Sequence, residues 1–383
     1  NAISNHSPAA NSVWVGWAPY PIGFLGPACM VHLLTKASGI VHKVHGVLAA
    51  RPAFRQASSL MMGTLAGQAI LLISAPILTR LYSPTDYGIL ASYSAMVAIL
   101  GVVATMRYEL AVLLPSSDDL AEQLAGLALG LAVIFAILSA LTLWVAAHWL
   151  DMAFLQLLKP YFGLLMLGVM LYGASQVLAY RLIRRQWYAP QTHSRWLQAM
   201  AYVLVQLIGG VLRVGAVGLL IGQVVGQLAT VLVLGRSFQV RKLSPTRFGA
   251  LMKQYRDFPL YNMPAALLNT LGVQAPMLLT ATFYSLKEAG WLVLSLRLIG
   301  APADLIGSSV GQVYLGRAAE YSRRSPELLR AFVWRVICIL LGFALLPTVC
   351  LMLFAPSLFA WLFGSEWRPS GEYLQILAPA LLM

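Results

Sequence analysis

Ala75-Pro76-Ile77-Leu78, leading into Tyr82-Ser83-Pro84-Thr85-Asp86-Tyr87-Gly88, returns farther along the chain. The second copy is Ala275-Pro276-Met277-Leu278, leading into Tyr284-Ser285-Leu286-Lys287-Glu288-Ala289-Gly290. In each copy an apolar run ends in a short turn with an acidic residue and a glycine, and another apolar run follows. The pattern predicts a duplicated, all-α polytopic membrane protein built as two pseudo-symmetric helix bundles, parallel six-span repeats with the second lobe truncated. In such a plan a substrate sits between lobes that rock around it.

Composition agrees with lipid as the solvent. The 383 residues are 59% hydrophobic and 10% charged, against roughly one-quarter charged in soluble domains. A span needs about 20 mostly apolar residues. Stretches 123–147, 160–180, 196–212, 214–235 and 258–286 carry no charge at all. Cys29, Cys338 and Cys350 are too few for a disulfide framework and read as small core residues. His42 and His45 would share a helix face, but no cysteine or carboxylate joins them, so no metal site is assigned.

Hydrophobic runs and punctuation place spans near 58–82, 88–114, 120–147, 161–182, 196–213, 214–235, 258–284, 289–315 and 331–355, with part of another from 371. The predicted organisation is a leader over 1–56, an N-terminal lobe over 57–235, a connector over 236–257 and a C-terminal lobe over 258–383. The leader lacks a cleavable-signal layout, since Pro19, Pro21 and Pro27 break its apolar stretch. Asn1 at the start and an apolar run cut short at Met383 give the chain the expected look of a fragment.

Lysine and arginine mark the cytoplasmic side. Arg51 and Arg55 precede the first span; Arg184, Arg185 and Arg195 follow the fourth; Arg236 to Arg256 follow the sixth; Arg317 to Arg330 follow the eighth. The first span is therefore expected to start on the cytoplasmic side. The net charge of +13 is spread over membrane-flanking loops, which points to anionic lipid as the partner and away from nucleic acid.

Charges within spans cost about 2.5–3.5 kcal/mol each at a helix centre and so mark wet cavities or partners. At 1.5 Å per residue, Arg297 lies roughly 13 Å into the eighth span and Asp304 roughly 24 Å, both on one face. Arg297 is read as a lumen ligand for an anion, the alternative being an arginine neutralised by a neighbouring span. Asp304 is the second lumen candidate. Arg107 and Glu109, near the cytoplasmic end of the second span, are expected to point to opposite sides of a helix, not to pair, with either one lining the cavity mouth. Arg80 is a lumen candidate too, with anchoring at the membrane interface as its plainer role. Pro76 and Pro276 occupy matching places and read as kinks or hinges. Pro84, Asp86 and Gly88 in one copy, and Glu288 and Gly290 in the other, read as turn and helix-start chemistry. Gln68, Gln206, Gln223, Gln227 and Gln274 read mainly as interhelical glue. No phosphate-binding loop or nucleophilic constellation is present, so no enzymatic activity and no cofactor are assigned.

Ala75 through Gly88, followed by Arg107-Tyr108-Glu109, resembles the start of bacterial polysaccharide and O-antigen flippases of the multidrug/oligosaccharidyl-lipid/polysaccharide exporter superfamily. Gly364-Ser365-Glu366-Trp367 is similar to that family's G-x-x-W turn. The resemblance covers about residues 57–383. It implies a multi-pass protein of the bacterial cytoplasmic (inner) membrane that turns an undecaprenyl-pyrophosphate-linked oligosaccharide from the inner to the outer leaflet for surface polysaccharide such as the O-antigen of lipopolysaccharide. Polysaccharide polymerase and chain-length proteins are the implied partners, beside membrane lipids. Arg297 and Arg107 are the candidates to receive the pyrophosphate. The competing readings are a cation-coupled multidrug exporter of the same superfamily and a non-transporting scaffold of a polysaccharide assembly complex. A buried carboxylate in the first span would favour the drug exporter, and residues 58–79 contain none.

Overall fold

The turn at Tyr82 forms as its residues dictate. Ser83 is extended (φ −75°, ψ 159°), and its Oγ accepts from the Asp86 N–H at 3.2 Å. Asp86 Oδ2 in return accepts from the Ser83 N–H at 3.0 Å and from its Oγ at 2.7 Å. This reciprocal box satisfies orphan donors at a helix start, and Pro84 occupies the position where a missing N–H costs nothing. One helix therefore ends at Leu81 and the next begins at Pro84. In the second copy, Ser285 Oγ accepts from the Glu288 N–H at 3.1 Å. The Glu288 carboxylate does not reach back; it accepts from the Tyr373 hydroxyl instead.

The computed structural model describes residues 52–149, 156, 158–236, 245–300 and 326–382, and among these the chain is helical, without a strand. The helices belong to the unit Gln56–Met383, α1 starting just ahead of it. They are α1 (Pro52–Leu81), α2 (Pro84–Ala104), α3 (Tyr108–Ala111), α4 (Asp118–Trp149), α5 (Phe162–Arg184), α6 (Ala189–Val211) and α7 (Ala216–Gly235). There follow α8 (Pro245–Gln254), α9 (Met263–Phe283), α10 over 286–300, α11 (Pro326–Phe363) and α12 (Arg368–Leu377). Among the described residues, 7 helices are long and apolar enough to cross a membrane. Pro76 lies inside α1 and Pro276 inside α9, as their matching places in the sequence require. Asp304, Cys29, His42 and His45 lie outside the described residues.

Two expectations are corrected. The predicted span 196–213 is a helix starting earlier, at Ala189, and it is not among the seven, because Gln191, Ser194, Arg195, Gln198 and Gln206 lower its hydropathy. The predicted span 88–114 is broken after Ala104. Met106 (φ 48°) and Arg107 (φ 62°) are both left-handed, and Arg107 caps the short α3. Left-handed backbone is costly for residues with side chains. Its consequence is that residues two apart no longer diverge as they would on a helix. Arg107 Nη1 and Glu109 Oε1 are 3.3 Å apart, so the two form the ion pair that helical spacing argued against. Glu109 is buried and also accepts from Thr105 Oγ1 at 2.5 Å.

The break is packed on three sides. Tyr108, Ala111 and Val112 form a core with Leu124 and Ala128 of α4, Val177 of α5 and Leu251 of α8. Helix α8 is thus pinned to α3, α4 and α5 through its apolar face. Beside it, Glu122 accepts from Arg181 Nε at 2.8 and 2.9 Å and from Arg185 Nη2 at 2.8 Å. Arg181 is 2% exposed. Removing one partner of such a buried pair costs about 3–5 kcal/mol, because the other charge stays out of water. Glu122→Ala is accordingly expected to lower the thermal unfolding midpoint of the purified protein markedly, as followed by tryptophan fluorescence. An unchanged midpoint would show that the pair adds nothing.

Helices α6 and α7 approach each other closely. A β-carbon on Gly218 would lie 3.1 Å from the Gly209 Cα, one on Gly222 3.0 Å from the Tyr202 carbonyl oxygen, and one on Gly226 3.0 Å from the Gln198 carbonyl oxygen. Small residues at every fourth position let backbones meet where no hydrophobic force separates helix from lipid.

Candidate functional site

The two copies of the turn meet each other. A β-carbon on Gly88 would overlap the Leu286 carbonyl oxygen, and one on Gly290 would overlap the Pro84 carbonyl oxygen. Pro84 and Leu286 are matching positions of the repeat, as are Gly88 and Gly290. The contact is therefore reciprocal, each glycine resting on the other copy's turn, as in a two-fold interface. The two glycines are there because only a hydrogen fits between the crossing backbones.

Trp367 seals the same end. It is fully buried and meets Tyr87 edge-on, ring centres 5.0 Å apart at 80°. Its Nε1 donates to the Thr79 carbonyl at 3.0 Å. That carbonyl is in the last turn of α1, where helical donors run out. Gly364 (φ 108°) supplies the turn that aims Trp367 inward. Trp291 Nε1 donates to the Glu366 carbonyl at 2.8 Å, fastening the Gly364–Trp367 turn to α10.

One helical turn below Gly88 a cavity of about 580 Å³ opens between α1, α2, α6 and α7 on one side and α9 and α10 on the other. Arg297 and Arg195 line it, with Gln68, Gln198, Gln223, Gln227 and Gln274, Thr64, Ser94 and Tyr202. No carboxylate is among the described lining residues. The Arg297 guanidinium lies 5.7 Å from the centre of the Tyr202 ring, so the arginine of α10 rests on the aromatic face of α6 across the cavity. Gln198 and Gln223 are each held by one amide atom and present the other, while Gln227 is held by both. Gln198 Nε2 donates to Gln227 Oε1 at 2.9 Å, whose Nε2 donates to Ser175 Oγ at 2.6 Å. Ser94 Oγ donates to Gln223 Oε1 at 2.8 Å. Such a wall offers donors and acceptors together beside two fixed cations.

The sequence candidates separate in space. Arg297 lines the cavity. Arg107 and Glu109 pair with each other at the α2 break and are not among the cavity-lining residues. Arg80 is not in this cavity either; it lines a second groove with Pro76 and Trp361. Asp86 is committed to its turn and Glu288 to the Tyr373 hydroxyl of α12. Pro276 is outside the lining, although Met277 beside it contributes. Among the described residues no group of three or more His, Cys, Asp or Glu is placed to hold a metal.

Sequence reasoning missed Arg195, Gln198 and Tyr202. Arg195 was counted as a loop cation because the span was started after it. Spacing by three and four puts all three on one face of a helix, and with Gln191 and Gln206 they form a polar stripe that periodicity alone displays.

Residues 77–372 match the family described as polysaccharide biosynthesis protein. Among solved structures, the inward-facing conformation of a multidrug resistance MATE family transporter of the MOP superfamily is similar with a TM-score of 0.56 and 18% identity, over 86% of this chain and 77% of that one. A MOP superfamily transporter from Pyrococcus furiosus, described as having a binding pocket of reverse polarity, gives 0.53 and 18%, over 86% and 79%. An outward-facing MATE family transporter gives 0.51 and 17%, over 86% and 80%. At these identities the likeness is one of fold. No curated protein matches the chain.

Proposed function

The chain belongs to the polysaccharide biosynthesis protein family, and on that premise we propose that it translocates a pyrophosphate-linked oligosaccharide on a polyprenyl carrier from the inner to the outer leaflet of the bacterial cytoplasmic membrane. The observation that carries this reading is the cavity wall: two arginines and a set of amides, with no carboxylate among the described lining residues. A pyrophosphate and a hydrated sugar cannot cross hydrocarbon unaided, since unpaired polar groups and charges are costly there. Arg297 and Arg195 supply charge-assisted donors for the phosphates, and guanidinium matches phosphate oxygens two at a time. The glutamines supply the mixed donors and acceptors that sugar hydroxyls require. The carrier's hydrocarbon tail stays in the bilayer.

Alternating access then follows from the seal. The N-terminal lobe (57–235) and the C-terminal lobe (258–383) are joined by the connector (236–257), and the crossed turns close the end where short, base-poor links predict the outer surface. Cargo enters from the cytoplasmic end, where Arg195 and Thr64 line the cavity; separation of Gly88 from Gly290 releases it outward. The cation-coupled drug exporter is disfavoured by the first span, whose residues 58–79 hold no carboxylate to take the coupling cation.

Deleting the gene is expected to strip the cell surface of one polysaccharide and to leave its lipid-linked precursor on the inner leaflet, measured by lectin binding and by susceptibility of the precursor to an external glycosidase in oriented vesicles. Drug susceptibility is expected to stay unchanged. Normal surface polysaccharide with altered drug susceptibility would overturn the assignment in favour of a drug exporter. Loss of polysaccharide with the precursor already at the outer leaflet would favour a scaffold.

A further inference from the structure

The second groove lies at the turn end of the helices, apart from the central cavity. It measures about 500 Å³ and is lined by Pro76, Ile77, Arg80 and Leu81 of α1 and by Trp361 and Leu362 of α11. Just beyond it the Trp367–Thr79 hydrogen bond ties the two sides together. The groove presents apolar surface sideways: Ile77 is 53% exposed and Trp361 76% exposed. Arg80 is the one charged residue of the described lining, and none of the ion pairs among the described residues includes it.

These features specify an occupant. An exposed tryptophan beside an arginine at the end of a span is the pattern of a membrane interface, where headgroups meet hydrocarbon. A guanidinium without a carboxylate partner among the described residues calls for an anion, and phosphate suits its fork. A soluble anion would leave Ile77, Trp361 and Leu362 bare, whereas a lipid covers them with its chain. We propose that this groove binds an anionic phospholipid, with Arg80 on the phosphate and Ile77, Trp361 and Leu362 against the upper part of an acyl chain. The site is independent of the cargo assigned to the central cavity. It places a lipid at the seam between α1 and α11, beside the sealed end.

The test uses the full chain purified in detergent and titrated with phosphatidylglycerol or phosphatidylcholine, with bound lipids counted by native mass spectrometry. One basic residue near a membrane surface is worth about 1 kcal/mol, so Arg80→Gln is expected to weaken the tightest phosphatidylglycerol about fivefold and to leave phosphatidylcholine unchanged. Arg80→Lys is expected to recover part of the loss. Equal phosphatidylglycerol binding by wild type and Arg80→Gln would overturn the proposal. So would displacement of that lipid by inorganic phosphate alone, which would mark a headgroup-only anion site, or an equal loss of phosphatidylcholine.

Discussion

Replacing Gly290 with valine is expected to lower export of surface polysaccharide on the order of a hundredfold while the protein remains in the membrane. The side chain has no room, because a single β-carbon already overlaps the Pro84 carbonyl oxygen, and that atom belongs to backbone locked by the Ser83–Asp86 box. Overpacking of this kind costs up to about 3 kcal/mol, which shifts a two-state equilibrium roughly a hundredfold. The closed end therefore becomes the rare state and the cycle stalls. Gly88→Val meets Leu286 in the same way and is expected to give the same loss. Gly272→Val is the control, since no atom lies within 4 Å of a β-carbon there. Surface polysaccharide and membrane-embedded protein are measured in parallel. Wild-type export by Gly290→Val at normal protein level would show that the crossed turns need not close.

Arg297→Ala is expected to reduce export about thirtyfold or more, with Arg297→Lys intermediate. Loss of one partner from a desolvated charge contact costs about 2–5 kcal/mol, and lysine restores the charge without the two-point geometry. The described side-chain contacts of Arg297 are with Tyr202, so its removal disturbs one cavity neighbour and spares the hydrogen bonds that join the other helices. Protein level and thermal stability should therefore stay near wild type while export falls. If Arg297→Ala exports normally, the cavity does not hold its anion there, and the proposed cargo chemistry fails.

How much of this was legible before any coordinates depended on whether a signal was local. The helix start at Pro84 and Asp86, and the helices over the charge-free stretches 123–147, 160–180, 214–235 and 258–286, are local chemistry, and the structure forms them where the sequence places them. The place of Arg297 along its helix was legible because depth along a helix is simple arithmetic. The Arg107–Glu109 pair was not, because the break that brings them together falls at Thr105-Met106-Arg107, where neither glycine nor proline marks it. Two adjacent left-handed residues with side chains are imposed by the surrounding packing of Tyr108 and Val112, which no window of sequence contains. Arg195 was missed through a boundary: seven residues were assigned to a link that is helix, and a cavity-lining cation became a loop cation. The meeting of Gly88 with Gly290 lies between these cases. Both residues were picked out as matching turn glycines, but that each rests on the other's turn is a tertiary fact.

The polarity of α6 reaches back to synthesis. A helix that carries Arg195, Gln198 and Gln206 partitions poorly into hydrocarbon alone. Its partners arrive with α7: Gln206 Nε2 donates to the Leu219 carbonyl at 3.0 Å and Gln198 to Gln227, while Gly218, Gly222 and Gly226 let the two backbones close. A ribosome delivers α6 first. The insertion machinery must then shelter it until its neighbour emerges, and the pair enters the bilayer as one hairpin.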